Sequence, residues 1–176
     1  MTNSELVLLS LIAERPRHGY EIERLLEERG MREWTEIAFS SIYFLLNKLV
    51  RDGRAESATQ PAQGRGPAKK VFSITQTGLD SLREGVRAGL SHAEPGGQTF
   101  MFGLSCQPLL THAETLAALQ TRRQALSDKR TQLAQHPALT RPGFPTHVIA
   151  MFTYSLALLE SELNWLEKFM NDFTEE

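Results

Sequence analysis

The chain has 176 residues, of which 41% are hydrophobic and 23% are charged, a composition typical of a globular protein with one or two domains. It contains no run of about 18 apolar residues, so no transmembrane helix is predicted, and its amino terminus lacks the features of a secretory signal. Cys106 is the single cysteine, which excludes an internal disulfide and favours a reducing compartment. We therefore expect a cytoplasmic protein.

The net charge of -2 is unevenly distributed along the chain. Residues 91–176 carry six basic and nine acidic side chains, whereas residues 40–74 carry six basic and two acidic ones. A basic segment in a nearly neutral protein is compatible with a DNA-binding face on an acidic body. Charged runs are also common on ordinary solvated surfaces, so this pattern alone is weak evidence.

The amino-terminal part is predicted to begin with two helices. Apolar spacing places the first over about residues 4–14, and it is so apolar that it needs cover on more than one side. The second is expected over about residues 20–29. In the connection that follows, we expect Trp34, Ile37 and Phe39 to be core anchors.

The third helix is predicted to begin at Ser40 or Ser41, either of which is a suitable N-cap, and to end at Asp52-Gly53. Its inner face has helical spacing and comprises Ile42, Leu45, Leu46, Leu49 and Val50. Its outer face carries Ser41, Tyr43, Phe44, Asn47, Lys48 and Arg51.

The period then changes to that of short strands, predicted over residues 55–59 and 69–74. The segment between them is rich in glycine and proline, as a hairpin tip requires, and it is basic without any acidic residue. A fourth helix is expected from Thr75 or Thr77 to about Ser91. The order of three helices, a hairpin and a helix predicts a winged helix-turn-helix.

The carboxy-terminal part is predicted to be an arm of two long helices. Thr111 and Glu114 form a capping box at the start of a helix expected to reach residue 135, and prolines make residues 136–145 a loop. The last helix, over about residues 146–172, has a heptad seam of Ile149, Phe152, Leu156, Leu159, Leu163, Leu166, Met170 and Phe173. A second apolar strip beside it, of Leu158, Trp165 and Phe169, favours a partner chain as its cover.

The predicted fold is therefore mainly α, an α+β winged helix-turn-helix with a two-stranded wing and a carboxy-terminal two-helix dimerisation arm. We expect a DNA-binding domain over residues 1–92, a linker over 93–107 and a helical dimerisation domain over 108–176. The homodimer is expected to form mainly through the last helices, with the first helix inserted against them. The predicted dimerisation residues are Leu8, Phe152, Leu156, Leu159, Leu163, Leu166 and Met170.

A winged helix-turn-helix places side chains near the amino end of its third helix against base edges in the major groove. The wing is expected to reach the minor groove with Arg65 and to contact phosphates with Lys69 and Lys70. The predicted DNA-binding residues are Tyr20, Ser40, Ser41, Tyr43, Asn47, Lys48, Arg65, Lys69 and Lys70. Two alternatives stay open, because Tyr43 is either a groove contact or a half-buried packing residue, and Lys48 is either a phosphate contact or ordinary surface.

Several separated motifs occur in one order within residues 4–82, namely His18-Gly19-Tyr20-Glu21-Ile22, Ser40-Ser41-Ile42-Tyr43, Gly64-Arg65-Gly66-Pro67 and Lys69-Lys70-Val71-Phe72-Ser73-Ile74-Thr75. In these motifs the chain resembles the PadR family of transcriptional regulators. It departs from the family at Ser41, Phe44 and Arg54-Ala55, so no operator sequence is carried over. Over residues 100–176 the resemblance is looser and rests mainly on the helical pattern and Glu162-Leu163-Asn164-Trp165.

The resemblance implies a ligand-responsive repressor that binds double-stranded DNA at an inverted repeat, with a small aromatic molecule as effector. Activation is the alternative direction of regulation. A helical adaptor that keeps a winged-helix shell without DNA affinity is the rival from another class, and Phe44 and the acidic total favour it.

An enzyme is not expected, because no phosphate loop, nucleophile elbow or paired-acid motif is present. No histidine pair has metal-ligand spacing, so we expect no metal and no cofactor.

Overall fold

A computed structural model of the chain describes residues 1–33, 35, 37–60, 69–94 and 97–174. Its helices and strands are, in chain order, α1 (Asn3–Glu14), β1 (Arg17–His18), α2 (Gly19–Glu28), α3 (Phe39–Arg51), β2 (Ala55–Gln60), β3 (Lys69–Ile74), α4 (Gln76–Ser91), α5 (Gln98–Ser105), α6 (His112–Ala134), α7 (Pro137–Thr140) and α8 (Thr146–Thr174). Single turns of 3-10 helix at Met31–Glu33 and Gln107–Leu109 precede α3 and α6. The predicted fold class, a mainly helical winged helix with a helical arm, is confirmed.

The helix α1 lies at the centre of the amino-terminal part. Its first turn is closed by a capping box between Thr2 and Glu5, and its apolar side chains are buried almost all round. It contacts α3, α4, α5 and β3, which together cover more than one side of it. The expectation that so apolar a helix needs several neighbours is therefore confirmed.

The wing belongs to a small antiparallel sheet with the strand order β1-β3-β2 among the described residues. The predicted hairpin is confirmed, with Ala55 opposite Ile74 at its base and Gln60 opposite Lys69 near its tip. The strand β1 was not predicted, because two residues are too few to show a periodic pattern. It pairs Arg17 with Phe72 and so attaches the start of α2 to the wing.

The start of the third helix differs from the prediction. The helix α3 begins at Phe39 with Ala38 in the N-cap position and no side-chain cap, so the proposed serine caps lie inside its first turn. Ile37 is buried as expected, whereas Phe39 is exposed and is not a core anchor. Trp34 lies outside the described residues. The helix starts earlier than predicted because the Ser41 N–H already donates to the Ala38 carbonyl at 3.0 Å.

The segment predicted to be a linker is largely structured. Residues 98–105 form α5, whose Phe100 and Phe102 are buried and which packs on α4. The backbones approach closely there, because a Cβ at Gly103 would lie 2.8 Å from the backbone nitrogen of Leu90. The division of the chain into domains stays a prediction, but α5 joins the two predicted parts as a packed element.

The arm consists of α6 and α8 packed against each other, with the Thr111–Glu114 capping box at the start of α6 as predicted. The predicted loop 136–145 contains the one-turn helix α7, which packs on α8. None of the helices within the described residues is both long enough and apolar enough to cross a membrane.

One buried arginine connects the arm to the winged-helix part. Arg122 on α6 is fully buried, and its guanidinium pairs with Glu162 on α8, with an Nε to Oε1 distance of 2.7 Å. The same group donates to the carbonyl oxygen of His92 and, at 2.8 Å, to that of Glu94, both just after α4. It also lies 3.8 Å from the centre of the Phe100 ring on α5. A single side chain thus holds α4, α5, α6 and α8 together.

Candidate nucleic-acid interface

The outer face of α3 is a regular stripe of exposed side chains. Ile42, Leu46 and Leu49 are fully buried and fix the helix against α1, β2 and α2. On the opposite side, exposed residues recur with helical spacing of four, three and four. We call Ser40, Phe44, Asn47 and Arg51 the outer stripe of α3. The burial of one face leaves the other available to a groove of DNA.

Tyr43 lies beside this stripe but is half-buried. Its ring meets Phe72 of β3 edge-on at 6.4 Å and Tyr20 of α2 at 6.4 Å. A Cβ at position 19 would lie 2.5 Å from the Tyr43 ring, so Gly19 is required for this close approach. Of the two interpretations that the sequence left open for Tyr43, the contacts favour packing between α2, α3 and the sheet.

The motif around Gly19 also places Tyr20. His18 caps α2, its Nδ1 accepting the Glu21 N–H at 3.2 Å, so Tyr20 stands in the first turn. Its ring is strongly exposed and lies 6.0 Å from that of Phe39 at the start of α3. An exposed phenol at a helix amino end is well placed to bond a phosphate, as the sequence predicted.

Asn47 and Lys70 connect the recognition helix to the wing. The Lys70 ammonium donates to the Asn47 amide oxygen at 2.6 Å, and the Asn47 amide nitrogen donates to the Tyr43 carbonyl at 2.8 Å. Lys70 also lies 5.2 Å from the centre of the Phe72 ring. Two predicted DNA contacts are therefore already engaged with each other, and base reading by Asn47 would require this link to rearrange.

Lys48 points to α1 rather than to open solvent. Its ammonium is paired with the Glu5 carboxylate, which is almost fully buried. Burial acts to raise the pKa of Glu5, but the Lys48 hydrogen bond and the Thr2 N–H outweigh it, so this pKa lies below its ordinary value. The structure thus gives Lys48 a partner within the chain, and its predicted phosphate contact would compete with this pair.

The remaining predicted contacts lie on the exposed surface. Ser40 and Lys69 are exposed, and Ser41 is half-buried in the first turn of α3. Arg65 lies outside the described residues. Arg51, at the carboxyl end of the outer stripe, and Phe44, at its middle, were not proposed as DNA contacts from the sequence. Extending the spacing from Ser40 to Asn47 along the helix in both directions would have identified them.

The predicted dimerisation residues are mostly covered within the chain. Leu8 is buried in the core around α1, and the heptad seam of α8 packs inward, with Leu159, Leu166 and Met170 buried and Phe152, Leu156 and Leu163 half-buried. This corrects the predicted contact surface, because side chains already covered by their own chain cannot supply most of a partner interface.

A different row on the other side of α8 is open. Its apolar side chains have exposed fractions between 43 and 67% and follow heptad-like spacing. We call Met151, Tyr154, Leu158 and Trp165 the open row of α8. Leu158 and Trp165 were recognised in the sequence as a second strip, whereas Met151 and Tyr154 were missed.

A groove of about 580 Å³ lies between α5 and this row of α8. It is lined mainly by apolar side chains, and the Phe100 and Trp165 rings meet edge-on at 5.9 Å in its wall. Glu162, the partner of Arg122, is the acidic residue that lines it. Within the residues the structure describes, no group of three or more His, Cys, Asp or Glu side chains is arranged to hold a metal ion.

The chain matches a family model over residues 8–84, that of the Transcriptional regulator PadR-like family. These residues span α1 to α4 apart from their outermost turns, and therefore the whole candidate interface. No curated protein matches the chain.

Among solved structures, the chain is similar to Bacillus subtilis PadR in complex with operator DNA, with 21% identity, coverage of 96% of this chain and 98% of that chain, and a TM-score of 0.44. It is similar to a PadR-like transcriptional regulator from Bacillus cereus, with 15% identity, 98% and 97% coverage and a TM-score of 0.42. For Bacillus subtilis PadR in complex with p-coumaric acid the corresponding values are 19%, 98%, 99% and 0.41.

Proposed function

Residues 8–84 belong to the PadR-like family of transcriptional regulators, and from this premise we propose that the chain is a homodimeric repressor that binds an inverted-repeat operator. The observation that carries the proposal is the outer stripe of α3, exposed beside the basic strand β3. A helix with one face anchored in the core and the other free fits the major groove of B-DNA, while the adjacent hairpin follows the backbone. A regulator is expected rather than an enzyme.

The homodimer follows from the open row of α8. Large apolar side chains that recur along a helix and stay exposed are typical of a surface awaiting a partner. A two-fold dimer through these rows presents the same α3 twice, with the two copies about 34 Å apart in successive major grooves. The proposed DNA site is therefore an inverted repeat.

We place regulation in the groove between α5 and α8 and propose a small aromatic effector. The groove joins α5, which packs on the winged-helix part, to α8 of the arm. A ligand between Phe100 and Trp165 that favours one spacing of these helices would favour one separation of the two DNA-binding faces. Release from DNA and derepression follow when that separation no longer matches the operator. Such a regulator works in the cytoplasm.

The test is selection of duplexes from a random pool by the purified dimer, followed by gel-shift titration of the selected sequence. Enrichment of one inverted repeat, bound at least tenfold more tightly than its scrambled version, is the expected result. Equal affinity for both, or no binding at low salt, would favour the adaptor function instead. A reporter gene carrying the selected repeat over its promoter distinguishes repression from activation.

A further inference from the structure

The middle of the outer stripe is occupied by an apolar ring. Phe44 is 63% exposed, although a phenylalanine normally gains stability from burial. Ser40 precedes it by four residues and Asn47 follows it by three, so Phe44 lies between the two polar groups that are best placed to reach bases. Whatever enters contact with this face of α3 meets Phe44.

The polar groups beside it are limited in what they can read. Asn47 is bonded through both amide groups, to Lys70 and to the Tyr43 carbonyl, and the hydroxyl of Ser40 is short. Phe44 is therefore the large side chain of the stripe that projects at mid-helix. A second pair of rings, Tyr20 and Phe39, extends the apolar character to the amino end of α3.

The chemistry of the surrounding surface identifies the partner. An apolar face inside a protein interface would be bordered by residues of mixed polarity, whereas this one is bordered by Arg51 on α3 and by Lys69 and Lys70 on β3. That charge is complementary to a phosphate backbone. In the major groove of DNA, the apolar group that each base pair offers is the C5 methyl of thymine.

We propose that Phe44 reads thymine, its ring packing on a C5 methyl group in each half-site of the operator. This inference rests on the proposed function and specifies the chemistry by which the same face selects its DNA. It makes the recognition largely apolar at that position, with phosphate contacts from the basic rim fixing the register.

The experiment compares thymine with uracil, which lacks only the methyl group. The probe is the duplex selected from the random pool, roughly 30 base pairs long, so that two half-sites one helical turn apart are included. Each thymine is replaced in turn by deoxyuridine, in both half-sites at once. The affinity of wild type, of Phe44→Ala and of Phe44→Leu is then measured by fluorescence anisotropy.

For wild type, removal of one methyl per half-site at the contacted position is expected to weaken binding about 15-fold, or about fourfold for each methyl lost. Phe44→Ala is expected to bind the thymine duplex more weakly and to lose this sensitivity, while Phe44→Leu retains part of it. The control is Phe144→Ala, which removes another partly exposed phenylalanine in the segment before α8 and should leave the sensitivity intact.

Two results would overturn the inference. One is a wild type that binds the uracil duplexes as tightly as the thymine duplex at every position. The other is an equal methyl effect in wild type and in Phe44→Ala, which would assign the methyl contact to a different residue. Both leave the proposed function standing, because specific DNA binding persists. Failure of the selection itself would instead refute the proposed function.

Discussion

The ammonium of Lys48 on α3 pairs with the carboxylate of Glu5 on α1. The same carboxylate accepts the Thr2 N–H at 2.9 Å and so closes the capping box of α1. The pair therefore joins the recognition helix to the cap of the most buried helix in the winged-helix part. A lysine that resembles a phosphate contact in the sequence is used to position α3.

We expect Lys48→Met to lower the free energy of unfolding by about 1–2 kcal/mol, because it leaves the buried Glu5 carboxylate without its cation. The cost is kept below that of a fully buried pair because the Lys48 side chain is partly exposed and screened by solvent. The slope of log Kd against log salt should stay that of wild type. Urea denaturation and gel-shift titration over a range of salt concentrations measure the two effects.

The double variant Lys48→Met, Glu5→Gln is the control, since it removes the unpaired charge. It is expected to be more stable than Lys48→Met alone. A salt slope lowered by a full unit in Lys48→Met would show that Lys48 contacts a phosphate in the complex and that its pair with Glu5 opens on DNA.

The wing lysines should behave differently from Lys48. Lys69→Ala is expected to lower the magnitude of the salt slope by about 0.9, the value for one phosphate contact per binding site, in each half-site. Lys70→Ala should do the same and also weaken discrimination between operator and scrambled DNA, because it releases Asn47. Lys129→Ala, which removes an exposed lysine of α6, is the matched control. An unchanged slope in both wing variants would remove β3 from the interface.

The fold was predictable because strong periodic signals and caps agreed with the tertiary packing. The spacing of apolar residues placed α1, α3, α4, α6 and α8 within a few residues of their observed bounds, and Thr111 with Glu114 marked the start of α6. Short elements were missed for a physical reason. Two residues of β1 and one turn of α7 owe their form to neighbours that the local sequence does not reveal.

The site was only partly predictable, because the sequence gives the face of a residue but not its partner. Lys48 lies on the outer side of α3 as expected, yet its long side chain reaches 43 residues back to Glu5. The heptad seam of α8 was recognised correctly as a packing surface, but periodicity does not distinguish a partner helix in the same chain from one in another. Burial of Leu159 and Leu166 against α6 answers that question.

The open row of α8 is expected to form the dimer. Leu158→Glu places a charge at its centre and should convert a dimer at micromolar concentration into a monomer, with loss of most affinity for a two-half-site duplex. Thr153→Glu adds the same charge at an exposed position on the opposite side of α8 and should leave the dimer intact. Sedimentation velocity measures both variants. A dimeric Leu158→Glu protein would place the interface elsewhere.

Arg122 is expected to be a major contributor to the stability of the junction between the winged helix and the arm. Arg122→Met should lower the free energy of unfolding by about 3–5 kcal/mol, because Glu162 and the carbonyls of His92 and Glu94 lose their donor in a buried site. Arg123→Met, at the neighbouring exposed position, should cost less than about 0.5 kcal/mol. Urea denaturation compares them. A similar cost for the two variants would mean that the buried network contributes no net stability.

Glu114 should make the stability of the arm depend on pH on the acid side. The Thr111 N–H, the Arg87 guanidinium and the Thr111 hydroxyl lower the pKa of Glu114 to about 2, from an ordinary value of 4.5. Because the pKa is lowered in the folded chain, the ionised carboxylate stabilises it above about pH 4.5, and this contribution is lost as the pH falls towards 2. Glu114→Gln keeps a hydrogen-bonding side chain but no charge, so it should be less stable than wild type at pH 7.

The difference between the two proteins should shrink steadily when urea denaturation is repeated at decreasing pH through this range. Glu160→Gln, which removes an exposed carboxylate of α8, is the control and should show a much smaller change. Arg87 ties the effect to the fold, because it reaches from α4 to Glu114 on α6 at 2.7 Å and thus bridges the two parts of the chain. A difference that stays constant across the range would mean that the capping box acts through hydrogen bonding alone, without the charge of Glu114.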